Sequence, residues 1–132
     1  MKKLLALFVV ACLMTPAYSQ STTQSNTKQT VASPDGNVNF RLFQTNNRWT
    51  FLKLDTRNGK ITHVQYSIKG NAMEYELNPR SLVFESEAKP GRFFLYPTEN
   101  TFNFILLDQI DGRVWQVQWS IEANNRGIWR IH

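Results

Sequence analysis

The segment Phe102–Ile121, FNFILLDQIDGRVWQVQWSI, repeats Trp49–Ile68, WTFLKLDTRNGKITHVQYSI, at an offset of 53 positions. The match extends upstream, where Phe40 aligns with Phe93, Leu42 with Leu95, Thr45 with Thr98 and Asn47 with Asn100. Conservative pairs fill many of the gaps, among them Lys60 with Arg113 and Tyr66 with Trp119. So dense a match means two copies of one supersecondary unit, over residues 39–68 and 92–121. Any fold for this chain must therefore use one design twice and let both copies share a core.

Each copy reads as a three-stranded meander. In the last strand of the second copy, Trp115, Val117, Trp119 and Ile121 alternate with Gln116, Gln118, Ser120 and Glu122. Side chains along a strand point alternately to opposite faces, so this pattern predicts a half-buried strand. The first copy alternates more weakly, with Val64, Tyr66 and Ile68 against His63, Gln65 and Ser67. The middle strands, Trp49–Leu54 and Phe102–Leu107, are apolar at nearly every position, which predicts burial on both faces. Between the copies, Met73–Leu77 and Ser81–Glu85 read as short strands around an Asn78-Pro79 turn. Gly127–Ile131 reads as a closing edge strand. The expected fold is all-β: an antiparallel sandwich or barrel-like sheet of about seven to nine strands, its two meanders related by a pseudo-twofold.

The turns carry their own chemistry. Asp55-Thr-Arg-Asn-Gly59 and Asp108-Gln-Ile-Asp-Gly112 join middle to last strands. Glycine supplies the positive φ that tight hairpins need, and the leading Asp accepts hydrogen bonds from turn N–H groups. A calcium loop needs oxygen ligands at its third position and a Glu at its twelfth. Arg57 and Ile110 stand at the third position, so Asp55, Gly59, Asp108 and Gly112 are expected as structural turn residues and no metal is expected. The other paired turn contains Asn47 and Asn100. Its asparagines suit turn backbone, and two equivalent polar turns at one edge are also a candidate binding surface.

Residues 1–19 read as a secretory signal peptide. Lys2 and Lys3 precede the apolar run Leu4–Met14, and Ala17-Tyr18-Ser19 offers a cleavage site. The run is too short to span a membrane. Val9-Val10-Ala11-Cys12 loosely matches a lipoprotein box, so lipid anchoring through Cys12 is the alternative. With cleavage after Ser19 the chain keeps no cysteine, and an apolar core must supply its stability. Residues 20–36 are a Ser-, Thr-, Gln- and Asn-rich linker with little to bury, and residues 37–132 form a single domain. Without Lys2 and Lys3, thirteen Lys and Arg face ten Asp and Glu, scattered with no like-charge run. That distribution argues against nucleic-acid binding.

Arg92–Ser120, Leu77–Val83 and Asn125–Ile128 resemble segments of small exported proteins of Gram-negative gut bacteria. These carry duplicated stretches of the type FLLLDQxxGRVWQVQWS. The resemblance spans roughly Asn39 to the C-terminus and implies a real domain without implying an activity. Thr62 where the second copy has Trp115, and Lys53 where it has Leu106, suggest that one copy has a less buried face. Leu-Asp-x-x-x-Gly-Lys/Arg is also similar to the hairpin of quinoprotein-type propeller blades; with only two copies in the chain this is taken as a shared turn solution, blades completed by oligomerisation being the lesser alternative.

Catalysis finds little support in the residue types. His63 is expected on a polar strand face and His132 is terminal, and neither lies in a recognisable nucleophile motif. Asp55 and Asp108 form a symmetric carboxylate pair, but turn chemistry already accounts for both. Trp115 and Trp119 are expected in the core. Arg126, Trp129 and Arg130 form a basic aromatic tail suited to stacking on a sugar or docking an acidic partner. The expected function is therefore an exported, non-enzymatic interaction module of the cell envelope, needing no cofactor and recognising a protein or glycan. A self-assembling structural component is the alternative, and a hydrolase ranks last.

Overall fold

The computed structural model describes residues 37–132. The expected signal peptide 1–19, the expected polar linker 20–36 and Cys12 lie outside the described residues. The chain forms β1 (Phe40–Gln44), β2 (Thr50–Asp55), β3 (Ile61–Gln65) and β4 (Met73–Asn78), then β5 (Phe93–Pro97), β6 (Asn103–Asp108), β7 (Val114–Gln118) and β8 (Gly127–Ile131). β1 to β4 make one antiparallel sheet in sequential order, and β5 to β8 make the other. Short 3₁₀ turns occupy Glu85–Glu87 and Ala123–Asn125. Among the described residues no helix is long and apolar enough to cross a membrane.

Each copy of the repeated three-stranded meander is extended by a fourth strand, so that both sheets are four-stranded. β4 pairs His63 with Tyr75, and β8 pairs Gln116 with Trp129. The connection before β8 is one residue longer than that before β4, which takes the fourth strands out of the 53-residue alignment. Ser81–Glu85, expected as a strand, instead wraps the corner between the sheets. There Leu82 donates its N–H to the Asn58 carbonyl, 2.8 Å. Leu82 and Val83 pack on the core.

The two sheets form a sandwich and no closed barrel. Leu52, Leu54 and Ile61 of the first sheet meet Leu95, Leu106, Val117 and Trp119 of the second in one buried cluster. Two equivalent sheets related by a twofold would bury the same face, and these do not. The first sheet turns inward the face carrying Leu52, Leu54, Ile61 and His63. Their counterparts 53 residues on, Ile105, Leu107, Val114 and Gln116, lie on the outside of the second sheet. Conversely, Phe93, Leu95, Phe104 and Val117 face inward, while Phe40, Leu42, Phe51 and Val64 face outward. The expected pseudo-twofold is therefore replaced by front-to-back stacking.

Two further expectations change for the same reason. Tyr66 and Ile68 point outward and are exposed, whereas Ile61 and His63 take the inner positions. The middle strands are fully buried on one face and half-buried on the other.

Candidate binding surface

The paired Asn turns are built alike. Asn47 Oδ1 accepts the Trp49 N–H at 2.9 Å, and Asn100 Oδ1 accepts the Phe102 N–H at 2.9 Å. The Thr45 and Thr98 hydroxyls accept the N–H groups of Asn47 and Asn100, at 3.1 and 3.2 Å. Their hydroxyls donate across the turn to the carbonyls of Thr50 and Asn103, at 3.0 and 2.8 Å. Both asparagine carbonyl oxygens thus serve the turn backbone.

At the opposite ends, Gly59 N–H donates to the Asp55 carbonyl at 3.0 Å, and Gly112 N–H to that of Asp108 at 2.9 Å. Positive φ is confined to the glycines, 79° and 70°, so these are four-residue loops and not two-residue primed turns. Asp55 Oδ1 accepts the Arg57 N–H, and Asp108 Oδ1 accepts the Ile110 and Asp111 N–H groups. The second corner is the more heavily charged. Arg92 reaches both Asp108 oxygens, Nε to Oδ1 at 3.0 Å and Nη2 to Oδ2 at 2.9 Å. Arg113 adds a contact at 2.8 Å, and Asp111 closes the group through Arg92 at 2.6 Å. Burial pushes the Asp108 carboxyl up, but hydrogen bonds from Arg92, Arg113 and the loop N–H groups outweigh it and hold the pKa at about 2. Asp55 is also held below the usual range: burial raises it, and Arg57 more than compensates. Both carboxylates, committed to arginines and turn N–H groups, hold corners together.

His63, expected on an exposed polar face, is fully buried between the sheets. Its ring stacks 4.3 Å from Tyr75 and meets Trp119 edge-on at 5.6 Å. The Tyr75 hydroxyl lies 3.3 Å from His63 Nε2 and 3.2 Å from the Ser120 carbonyl. With Tyr75 donating to Ser120, Nε2–H donates to Tyr75, and the unpartnered Nδ1 is a lone pair. Burial, then the positive charge of Arg126, lowers the His63 pKa to about 4. Sequence periodicity missed this residue because its face assignment is inverted relative to the second copy.

The basic tail is divided by its strand. Arg126 lies over the Tyr75 ring at 4.2 Å, at the seam of the sheets. Arg130 covers Trp115 at 4.8 Å and donates to the Val114 carbonyl at 3.0 Å. Trp129 points to the other side, onto the outer face of the second sheet, and is 51% exposed. Trp129 and Arg130 thus do not form one stacking site. Trp115 and Trp119 are core residues, with Trp119 Nε1 donating to the Thr101 carbonyl at 3.0 Å.

Ile68, Phe84, Phe102, Ile110 and Ile121 stand exposed in loops, and the rest of the exposed apolar surface lies mainly on the outer sheet faces. On the first sheet Tyr66 (44% exposed) packs by half-buried Trp49 and Phe51, ring centroids 5.1 and 6.2 Å apart, Leu42 (55%) lies mid-face, and Phe40 (53%) lies at the far end under the Arg57 guanidinium. A shallow cleft of about 160 Å³ opens there, lined by Phe40, Thr62 and Pro79 and rimmed by Lys53, Lys60 and Glu76. Lys53 and Glu74 form an ion pair across the same face. On the second sheet Tyr96, Trp129 and Ile131 flank half-buried Ile105 and Leu107. Among the described residues no cluster of three or more His, Cys, Asp or Glu is placed to hold a metal ion. No protein-family model, no curated protein and no solved structure matches the chain.

Proposed function

We propose that this chain is an exported, non-catalytic interaction module that acts through the outer faces of its two sheets. The observation that carries the reading is the aromatic and aliphatic surface formed by Phe40, Leu42 and Tyr66 on one side and Tyr96 and Trp129 on the other. Apolar side chains left exposed on a sheet face offer a place where another macromolecule can sit. The reactive groups point the same way: Asp55 and Asp108 serve loop architecture, and His63 is enclosed between the sheets. The basic, apolar and small-residue pattern of Lys2–Ser19 supports export, as does the likeness of Arg92–Ser120 to segments of small exported bacterial proteins.

The test is affinity capture from a native cell envelope with the domain as bait, wild type beside Leu42→Glu and Trp129→Glu. Loss of a captured macromolecule in either variant, with unchanged circular dichroism, supports the reading. Capture indifferent to both substitutions counts against it. So does turnover of an envelope substrate that vanishes with Asp108→Asn while the fold persists.

A further inference from the structure

We propose that the two outer sheet faces are complementary to each other, and that copies of this chain assemble head to tail into a closed ring. The inference rests on the reading of these faces as interaction surfaces and names their partner as a second copy.

The molecule contains the template for the contact. Its core is made by the inner face of the first sheet against the inner face of the second. The repeat reproduces both faces on the outside. The outer face of the second sheet is the counterpart of the first sheet's inner face, and the outer face of the first sheet is the counterpart of the second's inner face. One outer face is therefore built like one half of the core, and the other like its complement.

The residues keep that character although each is on the surface. Leu52 and Leu54 are matched by Ile105 and Leu107, and Phe43 by Tyr96. On the complementary side, Leu95 is matched by Leu42, Val117 by Val64, and Trp119 by Tyr66. Solvent gives no reason to preserve these apolar types at equivalent positions; burial by a partner does.

Contacts across the core give the intermolecular ones. Tyr75 reaches over to the Ser120 carbonyl. Trp129 takes the place of Tyr75 in the second sheet, and Ser67 takes that of Ser120 in the first. Trp129 of one copy thus lies against Tyr66 and Ser67 of the next. The Phe93 N–H donates to the Thr56 carbonyl at 2.7 Å, linking the sheets. By the same offset, the Phe40 N–H donates to the Gln109 carbonyl of the neighbouring copy.

Such an interface is heterologous, so it propagates until it closes. Four-stranded up-and-down sheets stacked front to back close into rings of roughly four to eight sheets, and two per chain gives roughly two to four copies. Lys53 and Thr62 replace Leu106 and Trp115 at the centre of this contact, which makes it weaker than the core and reversible.

The experiment is sedimentation velocity of the exported chain from about 1 to 100 μM, with Leu42→Glu and Trp129→Glu. The wild type is expected to form one closed oligomer, and each variant to sediment as a monomer with native circular dichroism. Mixed in equal amounts, the variants are expected to form a dimer, because each retains the face that the other has lost. Hydrogen exchange at the Phe40 amide is expected to slow as the wild type assembles. A wild-type monomer at the highest concentration overturns the proposal, as does an oligomer unaffected by both substitutions. So does a pair of variants that fail to complement. A wild-type monomer that still captures an envelope macromolecule through Leu42 ends the ring and leaves the interaction module standing, whereas a monomer that captures nothing ends both.

Discussion

Arg92 and Asp108 are joined by two parallel hydrogen bonds, at 3.0 and 2.9 Å, and both side chains are almost wholly removed from solvent. Removing one partner of a buried pair leaves the other charge uncompensated, at a cost of about 3–5 kcal/mol. Asp108→Asn is expected to destabilise the fold by that amount. Asp55→Asn should cost about 1 kcal/mol, because Arg57 is well exposed and can turn to water. Urea unfolding of the two variants checks the ranking, and equal losses would contradict it.

Acid stability follows from His63. Its folded pKa of about 4 lies below its ordinary value, so between that point and about 6.5 the unfolded chain binds more protons. The stabilisation is complete above about pH 6.5 and declines as the pH falls toward 4, by on the order of 3 kcal/mol. His63→Gln, which installs the residue found at the equivalent Gln116, should flatten this decline. The Asp108 contribution behaves separately. Its folded pKa is depressed, so its stabilisation is present above about pH 3.8 and disappears only as the pH falls toward 2. Unfolding midpoints at pH 7, 5.5 and 4.5 isolate the histidine.

The two loop glycines are not equally replaceable. Both have positive φ, so alanine costs about 1–2 kcal/mol at either. At Gly59 a Cβ would also fall 2.7 Å from Leu82 Cδ1 and 3.3 Å from Phe93, whereas at Gly112 it meets open space. Gly59→Ala should therefore lower the melting temperature distinctly more than Gly112→Ala.

Leu95 and Leu42 occupy equivalent repeat positions on opposite sides of the stack. Leu95→Ala opens a cavity and should cost about 2–5 kcal/mol. Leu42→Ala should change the stability of the isolated monomer by about 0.5 kcal/mol or less. Similar losses at both positions would show that the sheets do not stack front to back.

Much of this architecture was legible in the residues. The repeat predicted two like units, the Asp and Gly spacing located the loops, and alternation from Trp115 to Trp119 gave the inner face of β7. Lys53 and Thr62 suggested that one copy has a less buried face, but both copies have one: the second carries Ile105, Leu107 and Gln116 on it. The fourth strands were harder to place within the repeat, because Met73–Asn78 and Gly127–Ile131 share little sequence and lie one residue out of alignment. Strand alternation in the first copy misled, since β3 carries apolar or aromatic residues on both faces. Only the opposing sheet decides that Ile61 and His63 go inward and Tyr66 outward. Of the candidate binding residues, Asn47 and Asn100 proved to serve their turns with their carbonyl oxygens. Arg126, Trp129 and Arg130 are neighbours in sequence that strand geometry sends to different surroundings.

The two copies turn opposite faces inward, and that has a genetic consequence. If tolerance to polar substitution were mapped along the gene, both halves would oscillate with a two-residue period. Superposed by their alignment, the two traces would run in antiphase. Family profiles that average the copies would blur this signal, so each half has to be aligned against its own orthologous half before its selective constraints can be read.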